Sequence, residues 1–305
     1  MTPNLDVLGG SMPDEVARRV DRTLPILRAT LSQAFEAAIE STWSEDVCPD
    51  AVYLHDIFLR TSAGTLAAML DGAAALPALI RSERAAVALF AVGRSTVETA
   101  ALGTWLFASG LSERERARRA ASMTLDGLTD MDIFRAGIQT SVRKLVLGPD
   151  VGAPDDPEMN AEIEWWLDWA RRAGYETRRS KRHPIRHTIL DERLEDRPRI
   201  AQLVEGMLAQ VDSDHVVGEG QAYYRIASAV AHGDWHARAI LGFTGEEEAH
   251  ELFAAPSRDA TDLVLLMAVQ AATGVVALAL EYLGHSDPVT IAALSDLRAA
   301  TRGAG

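Results

Sequence analysis

The chain has 305 residues, a formal net charge of −14 and 48% hydrophobic residues, of which few are aromatic. Apolar content on that scale fills a sizeable core and excludes intrinsic disorder. So acidic a chain is not one that coats nucleic acid over its whole surface, although a local basic groove stays open to it.

Alanine and leucine dominate and arginine far outnumbers lysine, a mix that favours helices over strands. The first helix opens at Ser11-Met12-Pro13, where a capping residue and a proline precede Asp14 and Glu15, acids suited to the positive end of the helix dipole. Val16, Val20, Leu24, Leu27, Leu31, Phe35 and Ile39 continue it at helical spacing. Trp43 to Pro49 reads as a break, and Cys48, the single cysteine, lies in it. A lone cysteine makes no intramolecular disulfide, which fits a reducing compartment. The N-terminal stretch has no basic segment before an apolar run, so no signal peptide is expected and the expected location is the cytoplasm.

A second helix is expected over 50–75 and a third from Pro77 to Ser109. A fourth, capped by Ser112, continues to Leu147. Residues 148–157, GPDVGAPDDP, hold three prolines and two glycines and cannot propagate a helix. They read as a linker between two halves of one helical body, 1–147 and 158–305. A tryptophan-rich helix follows over 158–173, then a polar, basic stretch over 174–190. Further helices are expected over 197–211, 219–233, 257–284 and 288–301, with a short strand or loop around Leu241 and Phe243. Leu263 to Leu280 is uncharged and just long enough to span a bilayer. Gln270, Thr273 and Gly274 interrupt it, which favours a central buried helix and no membrane partner. The expected class is all-α, a multi-helix bundle of roughly 8–10 helices.

Two helices carry charges where apolar residues would be expected. The third is apolar nearly all round, yet Arg94 and Glu98 sit in its middle, four residues apart on one face. Buried charges cost several kcal/mol each unless paired, so these two form an internal ion pair or line a cavity. In QAYYRIASAVAHGDWHA, Tyr224, Ser228 and His232 are spaced by four and make a polar ridge. Arg225 lies seven residues before His232, on nearly the same face. An imidazole can move protons at a phosphodiester while a nearby guanidinium neutralises the oxyanion. The plainer reading is a histidine that caps its own helix, with Arg225 paired to Glu98.

These residues resemble a family of bacterial helical proteins, many of them actinobacterial, with a similar R-x-x-x-E helix and a similar Y-x-x-x-S-x-x-x-H-G helix. The Arg225 to His232 spacing is also similar to the R-x4–6-H motif of the HEPN superfamily. That resemblance implies a possible HEPN-like helical core, often dimeric, and either metal-independent RNA cleavage or RNA binding in stress or defence. It gives Arg225 the phosphate charge and His232 the proton, with Glu98 orienting one of them and Arg94, Tyr224 and Ser228 completing the pocket. Ile226 follows Arg225 where catalytic members carry a polar residue, a departure that bears on cleavage more than on fold.

Arg171, Arg172, Arg178, Arg179, Lys181, Arg182 and Arg186 crowd one short stretch. Of these, Arg178, Arg179, Lys181, Arg182 and Arg186 are candidate phosphate contacts, unless acidic neighbours such as Asp191 and Glu192 neutralise them. No metal or other cofactor is expected: His232/Asp234/His236, His183/His187, Glu281/His285 and Asp126/Asp130/Asp132 are each too short or misspaced a pattern. Two other functions remain open: a small-molecule enzyme with an apolar pocket floored by Arg94 and Glu98, and a non-catalytic assembly protein.

Overall fold

The computed structural model describes residues 12–42, 49–82, 86–147, 157–179, 187–190, 197–211, 216–232 and 258–302. Among these lie nine helices, which we number in chain order. They are α1 (Met12–Thr42), α2 (Pro49–Ile80), α3 (Ala86–Phe107), α4 (Glu113–Leu147), α5 (Pro157–Arg172), α6 (Ile200–Val211), α7 (Glu219–Ala231), α8 (Arg258–Tyr282) and α9 (Pro288–Arg302). The all-α class expected from composition is what the chain adopts.

Two local departures have physical causes. Pro77 does not start a helix but lies inside α2, which runs on to Ile80. A proline inside a helix forfeits one backbone hydrogen bond. Here Leu76 and Pro77 are both buried, and their packing offsets that loss. Within the basic stretch, β1 (Thr177–Arg179) pairs antiparallel with β2 (His187–Ile189), Thr177 opposite Ile189 and Arg179 opposite His187. Ile189 and Leu190 are buried, which anchors this otherwise polar hairpin. Cys48, residues 148–156 of the linker and the segment around Leu241 and Phe243 lie outside the described residues.

Contacts gather the chain into two compact units, Met1–Ser44 with Ser62–Ser109 and Arg199–Gly305, and Glu45–Thr61 with Gly110–Pro198. This grouping runs across the expected halves 1–147 and 158–305, because α3 finds its packing partners in helices late in the chain.

The first unit is built around α8. Val264, Leu265, Ala268, Ala271, Val275, Val276 and Ala279 are wholly buried, which accounts for its membrane-like run of apolar residues. By length and composition both His55–Ile80 and Thr261–Tyr282 could cross a membrane; the window in the second is 72% buried within the protein. A side-chain carbon on Gly93 would meet Val264, and one on Gly103 would meet Val275. That order places α3 and α8 side by side in the same direction. The other direction occurs between α1 and α9, which are bridged by Arg19 to Asp296 and by Thr30 to Thr290.

The second unit is organised by the first turns of α4. Ser112 Oγ accepts the Glu115 N–H at 3.2 Å, the cap expected from sequence. Glu115 then receives Arg118 Nε at 2.7 Å and Arg119 Nε at 2.8 Å. Arg118, with only 4% of its side chain exposed, also donates to the Ile189 carbonyl at 3.0 Å. Arg116 lies over the Phe58 ring. Tyr175 donates to the Arg114 carbonyl at 2.7 Å while the Arg114 guanidinium lies over its ring. Trp165, Trp166, Trp169 and Tyr175 form a chain of ring contacts beneath. Burial opposes the charge on Glu115, but hydrogen bonds from Arg118 and Arg119 outweigh burial and hold its carboxyl below the ordinary range.

Glu115→Gln leaves two largely buried guanidiniums without their anion, and is expected to lower unfolding free energy by ~3 kcal/mol. A depressed carboxyl contributes stability above its unfolded pKa of about 4.3 and loses it as pH falls through the folded value. The wild type therefore loses stability on acidification more steeply than Glu115→Gln. Urea unfolding of both proteins across that range checks it, and parallel pH profiles would reject it.

Candidate functional site

The stranded charges of α3 and the polar ridge of α7 meet. Arg94 donates from Nε to Glu98 Oε1 at 2.8 Å, the i,i+4 pair on the face of α3. Its Nη1 lies 3.2 Å from His232 Nε2, and its Nη2 donates to the Tyr224 hydroxyl at 3.4 Å. The same guanidinium lies 5.4 Å from the centre of the Tyr224 ring. One cation thus joins a carboxylate, a phenol and an imidazole. A guanidinium can only donate, so at this contact Nε2 of His232 is the acceptor and its ring proton sits on Nδ1.

The cluster opens to solvent. Arg94 and Glu98 keep 21% and 25% of their side-chain surface exposed, and His232 is exposed. Burial works against the charge on Arg94, yet Glu98 and then Tyr224 hold the guanidinium above its ordinary value. Burial, and next the charge on Glu98, raise the Tyr224 phenol, with the Arg94 hydrogen bond opposing them. Tyr224 therefore stays protonated at neutral pH and can donate as well as accept.

His232 caps the end of α7, where its N–H bonds to the Ser228 carbonyl at 3.0 Å. Ser228 thus acts through its backbone, and no hydrogen bond links its hydroxyl to Arg94, Glu98 or His232. Arg225 is exposed on α7, and no hydrogen bond or ion pair ties it to the cluster. The cation beside the imidazole is Arg94, not Arg225, and it is also Arg94 that pairs with Glu98. The reason is geometric: α3 packs along α7 on the side where Tyr224 points, one residue round the helix from Arg225.

The other candidates are distributed differently. Arg178 and Arg179 are exposed on β1, whereas Lys181, Arg182 and Arg186 lie outside the described residues. Arg171 and Arg172 pair with Asp168 along α5. Asp126 pairs with Arg197 at 3.1 Å. Asp234 and His236 of the H-x-D-x-H pattern, His183 and the side chain of Asp132 lie outside the described residues.

One residue that sequence reasoning missed sets the geometry. Gly93, next to Arg94, lets α3 approach both α7 and α8: a side-chain carbon there would sit 2.3 Å from Val264 Cγ1 and 3.8 Å from the Tyr223 hydroxyl. Tyr223 is buried, and among the described residues its hydroxyl has no partner; burial pushes the phenol far up. A glycine inside an apolar helix was the available signal, since it costs about 1 kcal/mol against alanine and needs a packing reason.

Comparison of the chain with family models, with curated proteins and with solved structures finds no match. The geometry alone therefore carries the argument about function.

Gly93→Ala is expected to destabilise the protein by about 1–3 kcal/mol through overpacking. Val264→Ala removes the atom it strikes, so the double variant should lose clearly less than the sum of the two single losses. Chemical denaturation of the four proteins measures the coupling, and simple additivity would show that the contact does not govern the seam.

Proposed function

We propose that the chain is an HEPN-like, RNA-acting protein whose site is Arg94, Glu98, Tyr224 and His232, and that it cleaves RNA without a metal ion. The observation that carries this reading is the solvent-open contact between the Arg94 guanidinium and His232 Nε2, held by Glu98 from behind. Strand cleavage by this route needs a group that moves protons and a fixed positive charge within reach of the same phosphate.

In the proposed reaction a phosphate takes the place of His232 at Arg94. The RNA 2′-hydroxyl attacks the adjacent phosphorus and loses its proton to the imidazole. Arg94 and the Tyr224 hydroxyl donate to the non-bridging oxygens as their charge grows. The 5′-oxygen leaves with a proton returned by the imidazolium. One strand then ends in a 2′,3′-cyclic phosphate and the other in a 5′-hydroxyl. Glu98 keeps the guanidinium oriented throughout. Arg225, exposed nearby on α7, contributes a phosphate contact outside the reacting centre, so the geometry favours Arg94 for the role that the motif spacing assigned to Arg225. The family resemblance adds a dimeric protein working in stress or defence.

The small-molecule alternative needs an enclosed apolar pocket floored by Arg94 and Glu98. Their exposure to solvent counts against it. A cleft of about 440 Å³ lies elsewhere, lined by Leu280, Glu281, His285 and Arg298, and neither Arg94 nor Glu98 lines it.

Incubation with single-stranded RNA in the presence of a chelator tests the proposal. The wild type should generate cyclic-phosphate ends. Arg94→Ala and His232→Ala should each lose about 100-fold or more, and Arg225→Ala less. Wild-type turnover no greater than that of His232→Ala would remove the nuclease reading. Salt-sensitive RNA binding without cleavage, lost in Arg94→Ala, would leave a binding protein; no binding at all would favour the assembly reading.

A further inference from the structure

Helix α7 begins without a cap of its own. Its N-cap residue is Gly218, in the left-handed region at φ 95°, and it has no side chain to accept the first N–H groups. Unsatisfied N–H groups at a helix start need an acceptor. That acceptor comes from another helix. Glu205, in the middle of α6, takes the Gly218 N–H on Oε1 at 2.6 Å and the Gln221 N–H on Oε2 at 3.2 Å. A carboxylate is also the charge that the positive end of a helix dipole favours.

The two helices touch at this point. A side-chain carbon on Gly220 would lie 2.8 Å from Glu205 Cα and 3.0 Å from its backbone nitrogen. The residues just before α7 give it little packing. Val216 and Val217, which lead into it, are exposed, the second at 92%. Glu219 accepts the Val216 N–H at 3.3 Å.

We infer that Glu205 is a positioning residue for the Arg94 cluster: its carboxylate sets where α7 sits along its own axis and so holds Tyr224 and His232 within reach of Arg94. The argument rests on rigidity and on small tolerances. A helix of 13 residues is a strut about 20 Å long, and it slides as one body. Gln221, one of the two anchored residues, is a single turn before Tyr224. At the far end the Arg94 contacts are 3.4 Å to Tyr224 and 3.2 Å to His232, close to the upper limit of a hydrogen bond. A slip of less than an ångström therefore dissolves both contacts while leaving α7 helical. Glu205 touches neither Arg94 nor His232 in this scheme and acts only through the helix. The inference depends on the cluster's geometry and not on the RNA reading, so either can fail without the other.

Nuclear magnetic resonance of the full chain tests it, reading the His232 ring signals and the Arg94 guanidinium signal. Arg94→Lys marks where the His232 signals go when the contact is lost. Glu205→Ala should move them at least half of that way. Glu205→Gln, which keeps one acceptor oxygen, should move them less, and it decides the matter if Glu205→Ala does not fold. Leu297→Ala, a core truncation in α9, supplies a destabilised protein with α7 intact and should leave the signals in place. Unmoved His232 and Arg94 signals in a folded Glu205 variant, or an equal movement in Leu297→Ala, would overturn the inference.

Discussion

A guanidinium on an apolar helix has to be answered, and the answer it finds decides what surrounds it. Arg94 could have been neutralised by Glu98 alone, one turn along α3. That pair satisfies Nε and leaves the two terminal nitrogens to other partners. Tyr224 and His232 take up those nitrogens from α7. The ion pair fixes the direction of the guanidinium, and the packing of α3 on α7 brings Tyr224 and His232 to it. Because the cluster keeps part of its surface in water, the charges stay available to an anion.

The second unit meets a similar demand in another way. Around Glu115, Arg116, Arg118 and Arg119 are drawn in, and one carboxylate, a carbonyl of the hairpin and the Phe58 face receive them. Arg118 there is almost wholly covered. Its role is to bind α4 to β2. Buried arginine alone is thus no sign of chemistry in this protein. What marks the first unit is a guanidinium in direct contact with an exposed imidazole.

The legibility of these features followed from how local each one was. The helical class, the Ser112 cap and the polar spacing of Tyr224, Ser228 and His232 depend on neighbours within a few residues, and periodicity reports such neighbours directly. Arg94 and Glu98 stood out because charge on an apolar helix is expensive wherever the helix goes. The identity of the cation beside His232 was not legible. Arg225 and Arg94 are chemically alike, and only the packing of α3 against α7 chooses between them. Glu205 carried the same mark as Arg94, a charge in the apolar run IAQLVEGMLAQV, but its partners are backbone N–H donors, which leave no trace in side-chain patterns. The hairpin at 177–189 was hidden because two strands of three residues are too short to show alternation.

The parallel seam of α3 and α8 has a consequence for biosynthesis. Helix α3 is complete by residue 107, and α8, which covers its glycines, does not begin until residue 258. At about 5–20 residues per second, a ribosome takes roughly 10–30 s to cover that interval. Throughout it, one of the most apolar helices in the chain waits with its charged pair and without its cover. Such a nascent segment is a natural client for chaperones that shield greasy surfaces, and expression yield will depend on them more than the finished protein's stability would suggest.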